Sequence, residues 1–409
     1  MTGNSQDTDR TCAGPDATTV ARRLPPLALY VHLPWCITKC PYCDFNSHTS
    51  PAELPEQAYV QALLADLAQD RERAQGRAVE SIFIGGGTPS LFAPQAIATL
   101  LAGIARQLTL APDCEITLEA NPGASDAARF RGYRDAGVNR LSIGVQSLDD
   151  EALERIGRRH GANEARRAVA AALAAGFDSV NVDLMFGLPR QSHAEALADL
   201  DAALALGTDH VSWYQLTLEP NTRFHAQPPP LPGEDATAMV HDDGLRLLSE
   251  SGFERYEVSA FARGGKRCQH NLNYWTFGDY LGIGCGAHDK VTWDEPWRLE
   301  RRVKQRQPRA YLASAATPEV VVQRREPSPD ERAFELMLNG LRLTAGLEAS
   351  LALARAGLGA AHIAEPLARA RARGLMVDDN ARLQATATGF DHLNTVLELF
   401  LGEEDNHAG

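Results

Sequence analysis

The chain has 409 residues, with 53 acidic side chains against 40 Lys and Arg, a formal net charge of −13 and 44% hydrophobic residues. A chain of this length buries a large core and divides into two or three domains, whereas its negative charge argues against general affinity for nucleic acid or anionic membrane surfaces. It has no run of about 20 apolar residues and no apolar N-terminal segment of the signal-peptide type, so we expect a cytoplasmic protein without a membrane span.

Residues 1–26 are rich in Thr, Asp, Gly and Pro and predict a disordered tail. From Leu27 onward, short apolar runs alternate with segments of helical period, which predicts parallel βα units and an α/β fold, a partial (β/α)6 TIM-like barrel over residues 27–218. In such folds the chemistry lies at the carboxyl ends of the strands. The predicted strands are 27–33, 81–85, 115–120, 140–145, 179–185 and 211–218, and the clearest helices are 56–73, 93–108 and 163–175.

A proline-rich segment, 228–233, ends this pattern and opens an extension over residues 219–325, with a helix near 236–251. Six basic residues between Arg298 and Arg309 predict a solvated helix face, with an anion or partner contact as the alternative. Residues 326–409 predict a small winged-helix-like domain. Its elements are a helix from Asp330, a hairpin of 374–377 with 382–385, and a closing helix near 390–401. The acidic balance of the chain argues against DNA binding, so we expect a docking or lid role.

Three of the seven cysteines, Cys36, Cys40 and Cys43, fall within eight positions directly after the first predicted strand. Two prolines force this segment into a loop, and a loop with three thiolates predicts a metal site, either zinc or iron–sulfur. Without a local fourth cysteine, one coordination position stays open for chemistry. Two alternatives remain: a Cys3His zinc site completed by His48 or His32, and three unconnected core cysteines.

The second predicted strand ends in Gly85-Gly86-Gly87-Thr88, where the backbone can approach a ligand closely, although a tight βα turn would have the same sequence. Polar side chains follow later strands. Carboxylates can accept hydrogen bonds from an ammonium or a ribose, an arginine can pair with a carboxylate, and the alternative role for each is capping or bracing a loop. These polar side chains are Glu119, Gln146, Arg158 and Asp183.

The run Tyr30-Val-His-Leu-Pro-Trp-Cys36-x3-Cys40-x-Tyr42-Cys43 resembles the signature of the radical S-adenosylmethionine (SAM) family, in the group of oxygen-independent coproporphyrinogen III oxidase and the HemW heme chaperones. The resemblance covers residues 29–188 and returns at residue 270. It implies that the three thiolates hold a [4Fe–4S] cluster whose fourth iron is chelated by SAM, and that an electron from the cluster cleaves SAM to a 5′-deoxyadenosyl radical. An electron donor is then an expected partner. It implies SAM contacts from Tyr30, Tyr42, Gly86, Gly87, Thr88, Glu119, Gln146, Arg158 and Asp183.

Two features separate the sequence from the oxidase within this group. The first feature is a departure from the oxidase pattern: the oxidase has another cysteine two positions after Cys43, where this chain has Phe45, and it has a longer N-terminal arm. The second feature is a segment, His270-Asn271-Leu272-Asn273-Tyr274-Trp275, that matches the HNxxYW motif of the chaperones. The match implies heme binding by His270, Asn271, Tyr274 and Trp275. Cys268 is an alternative iron ligand, and a core histidine beside packed aromatic rings is the structural alternative.

The sequence therefore predicts a chaperone that binds heme, a [4Fe–4S] cluster and SAM and transfers heme to an apo-hemoprotein, for which the resemblance suggests membrane-bound respiratory enzymes. The alternatives are the coproporphyrinogen III oxidase and a zinc-stabilised binding protein. No catalytic residue is assigned, and whether the chain is an enzyme stays open. We expect Cys12 to be a tail thiol and Cys114 and Cys285 to be structural thiols.

Overall fold

A computed structural model describes residues 24–123 and 126–401. The strands are β1 Leu27–Leu33, β2 Trp35–Cys36, β3 His48–Thr49, β4 Val79–Gly86, β5 Leu110–Ala120, β6 Arg140–Gln146, β7 Ser179–Phe186, β8 His210–Gln215, β9 Glu254–Glu257, β10 Ala260–Ala262, β11 Asp279–Gly284, β12 His288–Trp293, β13 Arg298–Lys304, β14 Val321–Arg325, β15 Leu347–Glu348 and β16 Arg382–Leu383. The α-helices are α1 Glu56–Asp70, α2 Pro94–Gln107, α3 Asp126–Asp135, α4 Asp150–Arg155, α5 Ala162–Ala175, α6 His193–Leu204, α7 Arg223–Ala226, α8 Glu234–Glu250, α9 Gln269–Trp275, α10 Pro308–Ser314, α11 Pro329–Gly340, α12 Ala349–Ala356, α13 Ala361–Ala372, α14 Ala387–Asp391 and α15 Leu393–Glu398. Short 3-10 helices cover Arg71–Ala74, Pro89–Leu91 and Pro318–Val320.

Twelve of these strands form one sheet in the order β14-β13-β12-β11-β1-β4-β5-β6-β7-β8-β10-β9. The run from β11 to β8 is parallel, and the strands at both ends of the sheet pair antiparallel. The parallel strands are mostly buried because both faces of the sheet are covered, and β6 is buried along its whole length. The sheet is not closed, and the predicted partial barrel is confirmed. Six of its strands come from residues 219–325, so residue 218 is not a limit of the sheet.

Some strand boundaries differ from the prediction for reasons of pairing. β5 begins at Leu110, five positions earlier than predicted, because Leu110 pairs with Val79 across a register shift before the regular pairing of Glu115 with Ser81. β8 ends at Gln215, so residues 216–218 follow the strand rather than forming part of it. These ends matter because they are the edge at which the polar side chains collect.

The prediction of a solvated helix face for the basic run is wrong. Residues 298–304 form β13, in which Arg302 and Lys304 are only 5% and 1% exposed. The Nζ of Lys304 lies 2.5 Å from Asp66 and 2.7 Å from Asp70 of α1, and Arg302 pairs with Asp70 at 2.6 Å. The cations can be buried because a helix more than 200 positions earlier supplies their carboxylates.

The C-terminal residues form a second hydrophobic core around α11–α15, to which Leu299 of β13 and Phe277, in the turn before β11, also contribute. The predicted hairpin is only partly correct. Met376 and Ala385 form a single antiparallel bridge, while β16 pairs with β15 instead. The predicted closing helix is divided into α14 and α15. Across the described parts of the chain, every helix is too short or too polar to cross a bilayer.

Candidate functional site

The carboxyl ends of the parallel strands surround a cavity of about 950 Å³. Its wall is formed by loops that follow β1 and β4–β8, as expected for this class of sheet. The predicted residues on this wall are Cys36, Cys40, Tyr42, Cys43, Gly86, Gly87, Thr88, Glu119, Gln146, Arg158 and Asp183. The fold thus brings together eleven of the twelve side chains or backbone positions predicted for the cluster and SAM, from six separate segments of the chain.

Backbone hydrogen bonds hold the cysteine loop against the glycine turn. The N–H of Gly87 donates to the carbonyl of Leu33 at 2.8 Å, and the N–H of Thr88 donates to the carbonyl of Trp35 at 2.8 Å. A Cβ atom on Gly87 would lie 2.6 Å from that Trp35 oxygen, so the turn requires glycine to approach this closely. β2 pairs with β3 and folds the loop back on itself. The loop position is therefore defined by backbone contacts on both sides.

Each of the three thiols has a different polar neighbour. Thr88 Oγ1 donates to Cys36 Sγ at 3.5 Å, Arg158 Nη1 donates to Cys40 Sγ at 3.7 Å, and Cys43 Sγ lies 4.0 Å from Ser47 Oγ. Burial raises the pKa of the Cys36 and Cys43 thiols. Cationic and hydroxyl donors beside sulfur favour the thiolate that a metal centre requires.

The thiols face one cavity without converging on one point. Within residues 24–123 and 126–401, no three His, Cys, Asp or Glu side chains are close enough together to hold a single metal ion. In a [4Fe–4S] cluster the thiolates bind separate irons, so a spread set of thiols on one cavity wall fits a cluster. His32, one fourth ligand of the zinc alternative, already has both ring nitrogens engaged, with Tyr30 Oη and Asn46 O, each at 2.9 Å. His48 Nε2 lies 3.1 Å from the carbonyl of Arg306.

A residue that the sequence analysis did not single out connects two sides of the cavity. Asn121 Oδ1 accepts from Arg158 Nη2 at 2.7 Å, and its Nδ2 donates to Thr88 Oγ1 at 3.0 Å. Arg158 also donates to the carbonyl of Gly144. The chain Arg158–Asn121–Thr88 thus joins the neighbours of Cys40 and Cys36. The only sequence signal for Asn121 was its place directly after β5.

Two half-buried carboxylates form part of the polar lining of the cavity. Glu119 accepts from the N–H of Gly86 at 3.0 Å, and Asp183 accepts from Ser142 Oγ at 3.1 Å and Asn181 Nδ2 at 2.8 Å. Burial, with the charge of Asp183 nearby, raises the pKa of Glu119 to about 8, and burial also raises the pKa of Asp183. A bound cation or hydroxyl donor would stabilise the ionised form of both carboxyls and lower their pKa values.

The raised pKa of Glu119 predicts that the stability of the ligand-free protein depends on pH. Its folded-state pKa of about 8 lies above the usual 4.5, so between these values the folded chain holds a proton that the unfolded chain releases. Stability is therefore lost as pH rises through this window. Glu119→Gln removes the titration while keeping an acceptor for Gly86. Between pH 5 and pH 9, we expect the free energy of unfolding of the variant to rise by about 2 kcal/mol relative to that of the parent. This is less than the full pKa shift would give, because the side chain keeps some solvent contact.

Urea unfolding of both proteins at the two pH values measures this difference. Glu250→Gln, at the exposed end of α8, is the matched control and should show no such change. A pH dependence that is the same in Glu119→Gln and the parent would exclude the burial effect at this carboxyl.

Aromatic rings and a strained residue complete the cavity. Gln146 has a positive φ of 67°, rare for a residue with a side chain, and its Oε1 accepts from Tyr214 Oη at 2.9 Å. Tyr42 packs against Phe224, with ring centroids 6.4 Å apart. Tyr214 was not predicted as a site residue because it lies within strand β8. The pattern of polar and apolar residues in this strand does not indicate which face of the sheet meets a ligand. Tyr30 does not line the cavity, and its ring lies beside Phe83 instead.

The predicted heme motif lies elsewhere, against the sheet. His270 is 1% exposed, with Nδ1 3.0 Å from Ser81 Oγ and Nε2 3.3 Å from Tyr274 Oη. Ser81 is near the start of β4, whereas the cysteines lie beyond its end. Burial and the charge of Arg140 lower the pKa of His270 to about 3, so the ring is neutral. In this conformation the ring matches the structural alternative, a core histidine among aromatic side chains.

The rest of the motif is less covered. Asn271, Tyr274 and Trp275 are half-buried on the short helix α9. Cys268, the alternative iron ligand, is fully buried and its Sγ lies 3.6 Å from Glu115 Oε1. The structure thus separates the motif from the cysteine cavity.

The remaining cysteines do not belong to the cavity. Cys114 and Cys285 are 7% and 0% exposed, and the Sγ of Cys285 lies 2.9 Å from the carbonyl of Arg306. Both therefore occupy structural positions. Cys12, predicted to be a tail thiol, lies outside the described residues.

Models of two known protein families match separate parts of this chain. The model of the radical SAM superfamily matches residues 30–203, and that of the HemN C-terminal domain matches residues 328–392. The heme chaperone HemW of Escherichia coli is 49% identical over 93% of this chain and 100% of its own, and that of Mycobacterium tuberculosis is 35% identical over 92% and 95%. The solved coproporphyrinogen III oxidase HemN of E. coli has a TM-score of 0.78 at 24% identity over 93% and 91% of the two chains, which shows a common fold.

Proposed function

Because the chain belongs to the HemW heme chaperone family of radical SAM proteins, we propose that it binds heme, a [4Fe–4S] cluster and SAM and transfers heme to acceptor hemoproteins. The observation that carries the cluster and SAM is that one cavity contains three thiols, a glycine turn and two half-buried carboxylates. The observation that supports the chaperone activity is similarity to HemW proteins over nearly the whole chain.

In this proposal each side of the cavity has a separate role. Cys36, Cys40 and Cys43 hold the cluster, which supplies the electron for reductive chemistry on SAM. The carboxylates of Glu119 and Asp183 accept from the ammonium and ribose of SAM, since these are the acceptors on the cavity wall whose pKa values are raised. Gly86, Gly87 and Thr88 form the turn that receives its amino acid end, and Arg158 is the cation available to its carboxylate. Tyr42 and Gln146 are on the nucleoside side, and Tyr30 supports the wall from behind.

The partners follow from the proposed activity. An electron donor would reduce the cluster, and membrane-bound respiratory enzymes are proposed recipients of the heme, met from the cytoplasm. His270, Asn271, Tyr274 and Trp275 remain sequence predictions for heme binding, and the burial of His270 means that its ring would have to be uncovered first.

Heme titration tests the proposal directly. We expect the reconstituted protein to bind hemin with a new Soret band, and to lose that band when an apo-cytochrome b is added, as the heme passes to the acceptor. The measurement is absorbance after the two proteins are separated on a size-exclusion column. Cys36→Ala protein is the comparison for the effect of the cluster. Failure of the parent protein to bind hemin would contradict the chaperone proposal.

The coproporphyrinogen III oxidase alternative can be tested with the same material. Phe45, at the position where the oxidase pattern has a cysteine, is 57% exposed beside the cysteine loop. Anaerobic incubation with coproporphyrinogen III, SAM and a reductant should give no protoporphyrinogen. Appreciable product would instead identify the chain as the oxidase.

A further inference from the structure

We propose that His210 and Asn181 are positioning residues of the SAM cavity: together they fix the carboxylate of Asp183 so that it accepts from the ribose hydroxyls and selects ribose over deoxyribose. The inference rests on the proposed function, since it concerns the cavity in which SAM would bind. It also gives a role to a buried histidine of the sheet that the proposed chemistry does not otherwise use.

Asp183 lies on the side of the cavity proposed for the nucleoside. Its strand, β7, pairs on one side with β6, which ends in Gln146, and on the other with β8, which carries Tyr214, and Tyr214 Oη donates to Gln146 Oε1. Glu119, in contrast, accepts from the N–H of Gly86, in the turn proposed for the amino acid end of SAM. This arrangement assigns the ribose to Asp183 and the ammonium to Glu119.

Two donors hold the carboxylate of Asp183. Asn181 Nδ2 donates to Oδ1 at 2.8 Å, and Ser142 Oγ donates to Oδ2 at 3.1 Å. Asn181 Nδ2 also donates to Ser142 Oγ at 2.8 Å, which fixes both donors relative to each other. A carboxylate has about four acceptor sites, so these bonds leave sites free on a residue that lines the cavity. Two adjacent acceptors are the complement of the two neighbouring hydroxyls of a ribose.

The amide of Asn181 is held from its other end. Its Oδ1 accepts from His210 Nδ1 at 2.6 Å and from Ser212 Oγ at 3.1 Å, and His210 Nε2 lies 2.8 Å from Tyr256 Oη. Because an amide oxygen only accepts, Nδ1 carries the ring proton and Nε2 accepts from Tyr256. A flipped amide would turn its oxygen toward the carboxylate of Asp183 and its NH2 group toward the protonated Nδ1. His210 therefore selects one orientation of Asn181.

This network is buried and its ring is neutral. The side chains of Asn181, His210 and Tyr256 are at most 3% exposed. Burial, together with the charge of Arg140, lowers the pKa of His210 well below its ordinary value, so the ring keeps one donor and one acceptor. Tyr256 Oη accepts from the N–H of Cys268 at 3.3 Å, which leaves its own hydrogen for His210. In a buried network the loss of one donor leaves its partner unsatisfied, so each member affects the next.

Ribose selectivity tests this assignment. The reconstituted full chain is loaded with radiolabelled SAM, and adenosine and 2′,3′-dideoxyadenosine are compared as competitors by equilibrium dialysis. We expect the parent to prefer adenosine by at least about tenfold, because the acceptors of Asp183 stay unpaired with the dideoxy compound. In His210→Leu the preference should fall below about threefold, and His210→Gln, which supplies both a donor and an acceptor, should restore most of it.

Two tyrosine variants form a matched pair for this experiment. Tyr256→Phe removes the donor to His210 Nε2 and should lower the preference by at least about threefold. Tyr59→Phe removes another buried hydroxyl, which accepts from the N–H of Cys285 at 2.8 Å outside this network, and should keep the parent preference. A general loss of stability weakens both competitors alike, so the ratio of their affinities reports the positioning of Asp183 rather than folding.

The outcomes separate the two proposals. If the parent binds no SAM, the SAM part of the proposed function fails, and the inference with it. If the parent binds SAM without preferring adenosine, Asp183 does not face the ribose, and the inference is overturned while SAM binding stands. An unchanged preference in His210→Leu would also overturn it. Should that variant not fold, Tyr256→Phe decides, since the parent preference in this variant would exclude the positioning role of the His210 ring.

Discussion

Replacing Cys40 with alanine is expected to reduce the iron bound after anaerobic reconstitution from about four atoms per chain to fewer than about one. Three thiolates are the complete set of protein ligands in the proposed site, so the loss of one leaves two irons without a protein ligand. Arg158, whose Nη1 lies 3.7 Å from Cys40 Sγ, would also lose its partner on this side of the cavity. The measurement is iron and sulfide content together with the charge-transfer absorbance of the cluster.

Cys114→Ala is the matched control for this experiment. That thiol is 7% exposed and lies outside the cavity, so its removal should leave the iron content at the parent value. The parent itself tests the zinc alternative, because one zinc per chain with no iron would contradict the cluster. If Cys40→Ala still assembled a full cluster, the three cysteines would not be its ligands.

Replacing Lys304 with alanine is expected to destabilise the fold by about 3–5 kcal/mol. Its ammonium is 1% exposed and is the cation that lies between the carboxylates of Asp66 and Asp70, at 2.5 Å and 2.7 Å. Without it two acidic groups of α1 stay buried with reduced compensation. Asp66 also accepts from Tyr311 Oη at 2.8 Å, so the loss would affect the packing of α10 as well.

The measurement is the free energy of unfolding in urea, with Arg324→Ala as the control. Arg324 lies on the neighbouring strand β14 and pairs with Glu300 at 3.3 Å, but its side chain is 65% exposed. An ion pair at the surface contributes about 0–1 kcal/mol, so this variant should remain close to the parent. Equal effects of the two substitutions would show that burial does not distinguish these cations. A second variant, Lys304→Met combined with Asp66→Asn, should recover part of the loss.

The sequence predicted several, but not all, of the residues that line the cysteine cavity. The cysteine spacing, the glycine turn and the strand-end polar residues are local patterns. The fold places eleven of the twelve positions predicted for the cluster and SAM in one cavity, and Tyr30 is the exception. Asn121 and Tyr214 were missed because nothing in their own segments indicates that they face Arg158 and Gln146. Their role depends on which strands become neighbours.

The burial of the basic residues of β13 could not be predicted from the sequence either. Spacing alone cannot distinguish an exposed helix from a strand whose alternate cations meet carboxylates, since the carboxylates lie in α1, more than 200 positions away. The heme motif is similar: an accessible ligand and a buried core histidine have the same local sequence, and only the packing of α9 against β4 covers His270.

The sequence by itself determined the negative charge that argues against nucleic acid, the α/β class and the incomplete set of three cysteine ligands, because composition, apolar periodicity and short motifs are properties of neighbouring residues. The tertiary structure alone decided that the sheet continues through β9–β14, that Arg302 and Lys304 of β13 are internal, and that His270 is covered by β4. Each of these depends on contacts between residues far apart in the chain, whose burial and charge pairing exist only once the chain is folded.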